Sequence, residues 1–383
     1  MIVYLSIAVA SFFLLMVSLF INSHKLTNFL ALLMTAVFVL IAGCRYRLGG
    51  FDYSNYAYFY KLAPSLNEIN IMQIIEEDGL IGNDVGWLIL NAIVKDTGLN
   101  FFGFTLIIAF MFFGSMWLTL SPKMKNPLIL PMVILGFTFL DVGFIYMRQS
   151  VAIAIFLYGL PFLYGKFRNL IGYVLVIALA ASVHFSAVIL FILWFLVPFK
   201  WTKRGLRITL MLGAMSYVVP LIGGRLNSMF AVIGDFMGGS GGEKLADSTL
   251  RYGSTSTSVT HLILFLVLAA VVYVAFPNQG NVTPSENTYI WIFMMLLPIY
   301  SILAGSEIVV RNQFYFYMAI PLVLDAALTR LSFRSKSGVA FMVSAICIAL
   351  MVKFAMNFDE GAMIPYVSFM DLGMNLTDYY RLY

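Results

Sequence analysis

Apolar runs follow one another along this chain almost from end to end, and no other feature constrains its fold so strongly. A membrane-crossing helix needs about 20 mostly apolar residues, and fewer where it is buried in protein. The candidate spans are 1–21, 29–44, 100–120, 127–147, 149–164, 170–184, 186–199, 208–224, 260–276, 289–305, 312–330 and 338–357. The pattern predicts an all-α polytopic membrane protein of about twelve transmembrane helices, with 1–383 as a single transmembrane domain.

The composition excludes an ordinary soluble domain. Hydrophobic residues make up 61% of the 383 residues and charged residues 11%, whereas soluble domains are about 25% charged. Cys44 and Cys347 lie in or beside apolar segments, which argues against a disulfide framework and a cysteine metal site. The basic residues that give the net charge of +5 are placed by membrane topology, so we expect no nucleic-acid partner. Run 1–21 lacks a basic start and a cleavage site, so we expect a retained helix.

Lysine and arginine indicate the orientation, because cytoplasmic loops are enriched in both. With the N-terminus outside, the inside connections are short and all but 277–288 are basic. The outside connections 45–99, 225–259 and the tail 358–383 are long and hold most of the carboxylates. Within the first of them, the short run 84–95 is a re-entrant or interfacial helix. The Gly- and Ser-rich segment 225–259 should be mobile, either as a lid or as a plain connector.

The segment from 170 to 199 is interpreted as two half-length helices that meet near His184. One long span would carry the basic residues from Lys200 to Arg207 to the outside, against the orientation rule. The split keeps them inside and places His184 and Ser186 at an outer junction.

With this topology, the polar residues within apolar surroundings gather at the outer ends of helices. They are Arg45, Arg47, Arg148, His184, Glu307 and Arg311. An arginine in the hydrocarbon costs from about 3 to more than about 10 kcal/mol, so Arg148 must face protein or water. Asp141 precedes it by seven residues, and in a continuous helix both would share one face and partly neutralise each other.

Converging arginines favour an anionic ligand, since the guanidinium matches phosphate and keeps its charge. The D-x-D pattern typical of metal-dependent phosphate sites is missing from the sequence, so we favour a metal-independent site without a cofactor. Aromatic residues around Asp52 and Asn55, in "FDYSNYAYFY", suit sugar rings. A tyrosine belt at the membrane interface gives the same pattern.

The motifs "RYRLGGFDYSNY", "DVGWLILNAIV", "MRQSVAIAIFL", "SVHFSAVIL", "VRNQFYFYMAIPLV" and "MIPYVSF" together resemble the EpsG-type family of bacterial polysaccharide polymerases, related to the Wzy O-antigen and capsule polymerases. The resemblance covers nearly the whole chain, with the motifs in the expected order. The family's first arginine aligns with Arg45 only after an insertion and with Arg47 only after a deletion, so either can fill that position. The family often has Glu-Pro-Gly-Tyr where this chain has "DVGW" at 84–87.

The resemblance implies a GT-C-like membrane glycosyltransferase in the bacterial plasma membrane, with its site facing the periplasm or cell exterior. The substrate would be an oligosaccharide on undecaprenyl pyrophosphate, and the partners would be membrane lipids and a chain-length regulator protein. The implied catalytic residues are Arg148, His184, Arg311 and Asp52. The implied substrate-binding residues are Arg45, Arg47, Tyr53, Tyr56, Asp84, Gln149, Glu307, Tyr315 and Tyr366.

Several of these residues also have a purely structural interpretation. Arg148 can pair with Asp141 or reach lipid headgroups, His184 can satisfy a backbone carbonyl, and Asp52 and Asp84 can cap local turns. Two other functions fit a polytopic chain: a lipid-linked oligosaccharide flippase or transporter, and a membrane acyltransferase acting on surface sugars. Transporters usually show internal repeats and polar residues near the membrane midplane, and neither is evident here.

Overall fold

The computed structural model describes residues 1–70, 84–218, 259–275, 282–301 and 310–377, which are mostly helical. The helices, in chain order, are α1 Ile2–Ser18, α2 His24–Gly43, α3 Gly50–Leu62, α4 Val85–Asp96, α5 Phe101–Lys123, α6 Ile129–Phe137, α7 Met147–Gly159, α8 Leu170–Val183, α9 Phe185–Leu196, α10 Lys203–Val218, α11 Val259–Ala275, α12 Pro284–Met294, α13 Leu296–Tyr300, α14 Gln313–Thr329 and α15 Phe333–Asn357. Glu307 and most of 225–259 lie outside the described residues.

The all-helical class is confirmed, while the number of spans stays a prediction. In the described part, three helices are long and apolar enough to cross a membrane: His24–Gly43, Phe101–Lys123 and Phe333–Gly361. Shorter apolar helices cover Ile2–Ser18, Met147–Leu163, Leu170–Val183, Phe185–Leu196, Leu262–Val271 and Gln313–Thr329. A helix that the sequence analysis did not predict, α3, forms within the outer loop 45–99.

The predicted span 127–147 is wrong in its second half. Helix α6 ends at Phe137, and the chain turns from there to Tyr146 before α7 begins. Asp141 holds this turn: its Oδ1 accepts from the Val142 amide at 2.6 Å. Asp141 and Arg148 therefore do not belong to one continuous helix, and their predicted placement on one helical face is wrong.

The chain divides into two compact units, which we describe separately. Unit 1 comprises Met1–Ile69, Val85–Tyr158 and Leu331–Tyr383. Its helix α6 is apolar all round and buried, so it forms the centre of the unit. Gly136 of α6 lets α15 approach closely, since a Cβ there would lie 2.6 Å from the Cys347 Cα.

The short basic loops of unit 1 meet at one end, which we call its basic end. The loop after α5 contacts the end of α1, where Asn126 Nδ2 donates to Ser18 Oγ at 2.6 Å. The start of α15 joins them through Phe20 and Phe333, whose ring centroids are 5.3 Å apart. The start of α2 also lies here, since the His24 ring contacts Met124 O at 3.0 Å. The basic residues at this end are Lys25, Lys123, Lys125, Arg334 and Lys336.

The other end of unit 1, which we call the tail end, gathers the long polar segments. Tyr4, at the start of α1, donates its hydroxyl to Met363 O at 3.0 Å. The tail also pairs with the segment after α2, where Arg45 and Ser368 form the only β bridge among the described residues. Within unit 1, the short basic loops and the described part of the tail thus contact opposite ends of α1, and their assignment to the two sides of a membrane stays a prediction.

Unit 2 comprises Asn70–Asp84 and Gly159–Arg330. Its helices α8 and α9 form an antiparallel hairpin, because Tyr173 Oη near the start of α8 donates to Leu190 O of α9 at 2.6 Å. Arg168, just before α8, lies 4.1 Å from the ring centroid of Trp194 near the end of α9. The predicted break is confirmed: His184 is extended, with φ −151° and ψ 109°, and forms the tip of this hairpin.

The open end of this hairpin is the basic end of unit 2. Asn287 of α12 fixes it, since its Oδ1 accepts from Trp201 N at 2.9 Å and its Nδ2 donates to Val197 O at 2.9 Å. Arg330 and Glu286 form an ion pair at 3.0 Å beside it. The opposite end, with His184 at its tip, is the histidine end of unit 2.

Candidate functional site

Arg148 lies in the first turn of α7, at the tail end of unit 1, and is half-buried. Its guanidinium carbon is 5.8 Å from the ring centroid of Tyr56, and Tyr56 also hydrogen-bonds to Arg148. A cation in the first turn of a helix is opposed by the helix dipole. The stability of α7 therefore does not explain an arginine at this position.

Tyr56 lies on α3, one turn after Asp52, and both side chains are half-buried. Asp52 is close enough to Tyr56 to interact electrostatically with its hydroxyl. Burial raises the pKa of the Tyr56 hydroxyl and the Arg148 cation opposes that rise, so the phenol is protonated at neutral pH. The turn into α3 needs glycine, because Gly50 has φ +62°.

Trp87 of α4 completes this cluster. Its ring meets the Tyr56 ring edge-on at a centroid distance of 5.5 Å, and it is 8% exposed. Trp87 is not among the predicted site residues, although the motif "DVGW" contains it. We call Asp52, Tyr56, Trp87 and Arg148 the Arg148 cluster; an aromatic wall beside one cation and one carboxylate can hold a sugar phosphate.

The Arg45 side chain is buried and donates to backbone carbonyls, unlike that of a residue accessible to a ligand. It is 1% exposed, and it donates from Nε to Leu48 O at 3.0 Å, from Nη2 to Phe144 O at 2.7 Å and from Nη1 to Ala42 O. Burial lowers the pKa of Arg45 to about 10, so the guanidinium still carries its charge at neutral pH. Through these hydrogen bonds, Arg45 connects the segment before α3 to the turn before α7. This connection fixes the relative positions of α3 and α7, which carry Tyr56 and Arg148 of the Arg148 cluster.

Tyr53 and Tyr366 support Arg45 and its neighbourhood. The Tyr53 ring lies 5.3 Å from the Arg45 guanidinium carbon, and its hydroxyl donates to Arg45 O at 3.3 Å. Tyr366 donates to Ile41 O at 3.0 Å, so the tail folds back onto the end of α2. These two tyrosines have structural contacts, and their substrate-binding role stays a prediction.

Arg47 contrasts with Arg45. Its side chain is exposed, its guanidinium lies 5.3 Å from the centroid of the Tyr46 ring, and its backbone has φ +52°. A positive φ is uncommon for a residue with a side chain and indicates a conformation imposed by its surroundings. Of the two arginines that the sequence left open, Arg47 is the one accessible to a ligand.

A second group of candidate residues lies at the histidine end of unit 2. Ser186 Oγ is 3.0 Å from Tyr315 Oη, and Tyr315 is fully buried. The Asp84 carboxylate interacts electrostatically with Tyr315. His184 is half-buried two residues before Ser186, where the extended backbone separates α8 from α9. This group brings three of the sequence motifs together: those of Asp84, His184 and Tyr315.

The remaining candidates are placed as follows. Arg311 is half-buried, two residues before α14. Gln149 follows Arg148 on α7 and is 4% exposed. In the part of the chain that the structure describes, His, Cys, Asp and Glu side chains do not form a group of three that could hold a metal.

Comparison with known proteins gives a family assignment. The chain matches neither a curated protein nor a solved structure. The sequence profile of the EpsG family matches residues 28–368, which include every candidate site residue and all six quoted motifs except Phe369, the last residue of the sixth. Since this match covers most of the 383 residues, the chain belongs to the EpsG family, the polysaccharide-polymerase family that its motifs resemble.

Proposed function

We propose that this protein is a membrane glycosyltransferase that polymerises a bacterial polysaccharide. The donor is a growing glycan on undecaprenyl pyrophosphate, and the acceptor is the terminal sugar of one lipid-linked repeat unit. Family membership supports the polymerase activity. The observation that carries the substrate assignment is the Arg148 cluster, which sets a guanidinium against an aromatic ring at the end of unit 1 away from its basic loops.

The proposed step is a single group transfer. A hydroxyl oxygen of the acceptor sugar forms a bond to the anomeric carbon of the donor glycan. The bond from that carbon to the diphosphate oxygen breaks, and undecaprenyl pyrophosphate leaves with the electron pair. Arg148 stabilises the negative charge that develops on the leaving oxygen, as fixed cationic donors do at other transferred anions. The acceptor proton passes to a protein base, and no nucleotide sugar or metal takes part.

Each candidate residue has a role in this proposal. Within unit 1, Arg148 binds the diphosphate, and Arg47 is favoured over Arg45 as a further cation because it is exposed. In unit 2, Arg311 is a second candidate cation for a phosphate group. His184 is the proposed base, since a histidine with an ordinary pKa of about 6.5 is available at neutral pH. Asp52 is the rival base, and Tyr56 and Trp87 contact sugar rings.

The distribution of the basic loops supports a site on the extracytoplasmic side of the membrane. Within unit 1 the Arg148 cluster lies at the tail end, and the short basic loops lie at the other end. Because basic loops favour the cytoplasm, we place the tail end at the outer face of the plasma membrane. The histidine end of unit 2 is assigned to the outer face by the same argument from Lys166, Arg168 and Lys200.

Glycan analysis of cells tests this function. A strain that carries Arg148→Ala or Arg311→Ala should insert the protein normally, accumulate single lipid-linked repeat units and lack long-chain polymer. Lys25→Ala, which changes an exposed cation at the basic end of unit 1, is the matched control and should leave chain length unchanged. Normal polymer in the Arg148→Ala strain would refute the role of Arg148.

A further inference from the structure

Unit 2 contains a cavity at its basic end, on the side of the α8–α9 hairpin away from His184. It has a volume of about 260 Å³. Its lining includes Tyr164, Arg168, Lys200, Trp201 and Asn287. Helix α8 has 14 residues, so at 1.5 Å per residue the cavity lies about 20 Å from the hairpin tip. It is therefore a different place from the proposed catalytic residues of this unit.

Aromatic side chains indicate that the cavity lies at a membrane–water interface. Three of the five tryptophans of the chain, Trp194, Trp201 and Trp291, lie at this end of unit 2. Two tyrosines join them, with the hydroxyls of Tyr164 and Tyr289 3.2 Å apart. Tryptophan and tyrosine concentrate at the level of lipid headgroups, because their rings are apolar and their polar atoms need water or a partner.

The charge of the lining is positive. Arg168 is held in place, because it stacks on Trp194 and its Nη2 donates to Trp194 O at 3.2 Å. Lys200 is exposed. The nearby carboxylate of Glu286 is engaged by Arg330 at 3.0 Å and by the Thr283 amide at 2.9 Å, so it is already compensated. Two cations around an interfacial cavity favour an anion.

The surface beside the cavity is apolar and exposed. Phe167 is 62% exposed, Phe195 68% and Phe199 65%. Side chains of this size remain exposed on a membrane protein where they contact acyl chains. A ligand that combines an anionic head with hydrocarbon chains matches both surfaces, whereas a soluble phosphate matches only the cavity.

We propose that this cavity binds the phosphate headgroup of an anionic phospholipid, with its acyl chains against the exposed phenylalanines. Arg168 and Lys200 contact the phosphate, and Trp201 and Asn287 shape the polar floor. The site is separate from the proposed polymerisation chemistry. It anchors the α8–α9 hairpin in one leaflet and thereby fixes the depth of His184 at the opposite tip.

Lipid binding to the purified full-length protein tests the proposal by native mass spectrometry. The probes are dioleoylphosphatidylglycerol, dioleoylphosphatidylcholine and glycerol 1-phosphate. Phosphatidylglycerol should bind more tightly than the other two. A basic residue near a membrane surface contributes about 1 kcal/mol, so Lys200→Ala should weaken phosphatidylglycerol binding about fivefold.

Lys203→Ala is the matched control, because Lys203 belongs to the same basic segment but lies over the Tyr273 ring, 5.2 Å from its centroid, and not in the cavity lining. It should leave the affinity unchanged. Arg168→Lys keeps the charge and gives a second variant that preserves folding; it should weaken binding through loss of the guanidinium geometry. The proposal is overturned if Lys200→Ala and Lys203→Ala weaken binding equally, if neither changes it, or if glycerol 1-phosphate binds as tightly as the lipid.

Discussion

The guanidinium of Arg148 lies 5.8 Å from the centroid of the Tyr56 ring, and Tyr56 also hydrogen-bonds to Arg148. This contact joins the motif after α2 to the motif that opens α7. Asp52 lies one helical turn before Tyr56 on α3, and its carboxylate interacts electrostatically with the Tyr56 hydroxyl. The arginine is thus held by an aromatic ring and a hydroxyl of the same residue.

Tyr56→Phe should lower polymerisation about tenfold without unfolding the protein. The substitution keeps the ring beneath Arg148 and removes the hydroxyl that bonds to it, and hydrogen bonds to charged groups are worth about 1.5–3 kcal/mol. Turnover of lipid-linked repeat units by the purified variant is the measurement. Tyr58→Phe, which removes an exposed hydroxyl from the same helix, is the control. Equal activity of Tyr56→Phe and the wild type would show that the hydroxyl does not position Arg148.

Arg45→Ala and Arg47→Ala should have different effects. Arg45→Ala removes the donors to three buried carbonyls, so we expect a loss of stability of about 3 kcal/mol or more, seen as a lower melting temperature in detergent. Arg47→Ala changes an exposed side chain and should leave the melting temperature unchanged while polymer length falls. An Arg45→Ala protein with wild-type stability and no polymer would reverse these assignments.

A double-mutant cycle tests the contact between Ser186 and Tyr315 in unit 2. Their hydroxyl oxygens are 3.0 Å apart, and Tyr315 is fully buried. Ser186→Ala and Tyr315→Phe should each destabilise the protein, and the two effects should couple by about 1 kcal/mol. Thermal unfolding of the two single variants and the double variant gives the coupling. Additive effects would show that the two hydroxyls do not form a hydrogen bond.

The segment 63–69, which follows α3, should detach from α4 in acid. The Leu66 amide and the Ser65 hydroxyl donate to Asp96, each at 2.8 Å, and these bonds lower the pKa of its carboxyl. Because the folded pKa is depressed, the stabilisation is present above the unfolded value of about 3.9 and is lost as the pH falls through the folded value. The protection of residues 63–69 against hydrogen exchange, corrected for the intrinsic pH dependence of amide exchange, should therefore fall below about pH 4.

Asp96→Asn removes the negative charge from this contact and keeps the shape of the side chain. In that variant, the protection of the same residues, corrected in the same way, should already be low at pH 7 and should change little down to pH 3. If the wild type and Asp96→Asn show the same pH dependence, the carboxylate does not hold the loop.

The sequence predicted those features that depend on local pattern. The break at His184 follows from the positions of Lys200 to Arg207, because only a hairpin keeps both flanking basic segments on one side. The helix at 85–96 follows from a short apolar run that is too brief to span. Both predictions needed only the periodicity of apolar residues and the distribution of charge.

Features that depend on contacts distant in sequence could not be predicted. The run 127–147 has no proline after Pro131, so nothing in its pattern shows that α6 stops at Phe137. The role of Arg45 depends on the carbonyl of Phe144, 99 positions away, and the tail pairs with the segment after α2 across more than 300 residues. Such pairings leave no periodic signal, because each partner is an ordinary polar or aromatic residue in its own segment.

Turnover by the reconstituted protein tests the central role of Arg148 most directly. Purified wild type, Arg148→Lys, Arg148→Ala and the control Lys25→Ala are each incubated in liposomes with lipid-linked repeat units, and the product lengths are resolved. We expect Lys25→Ala to match the wild type and Arg148→Lys to retain partial activity. Arg148→Ala should lose a factor of about 10²–10³, as when a fixed donor to a developing negative charge is removed. Long-chain product from Arg148→Ala at the wild-type rate would contradict the account.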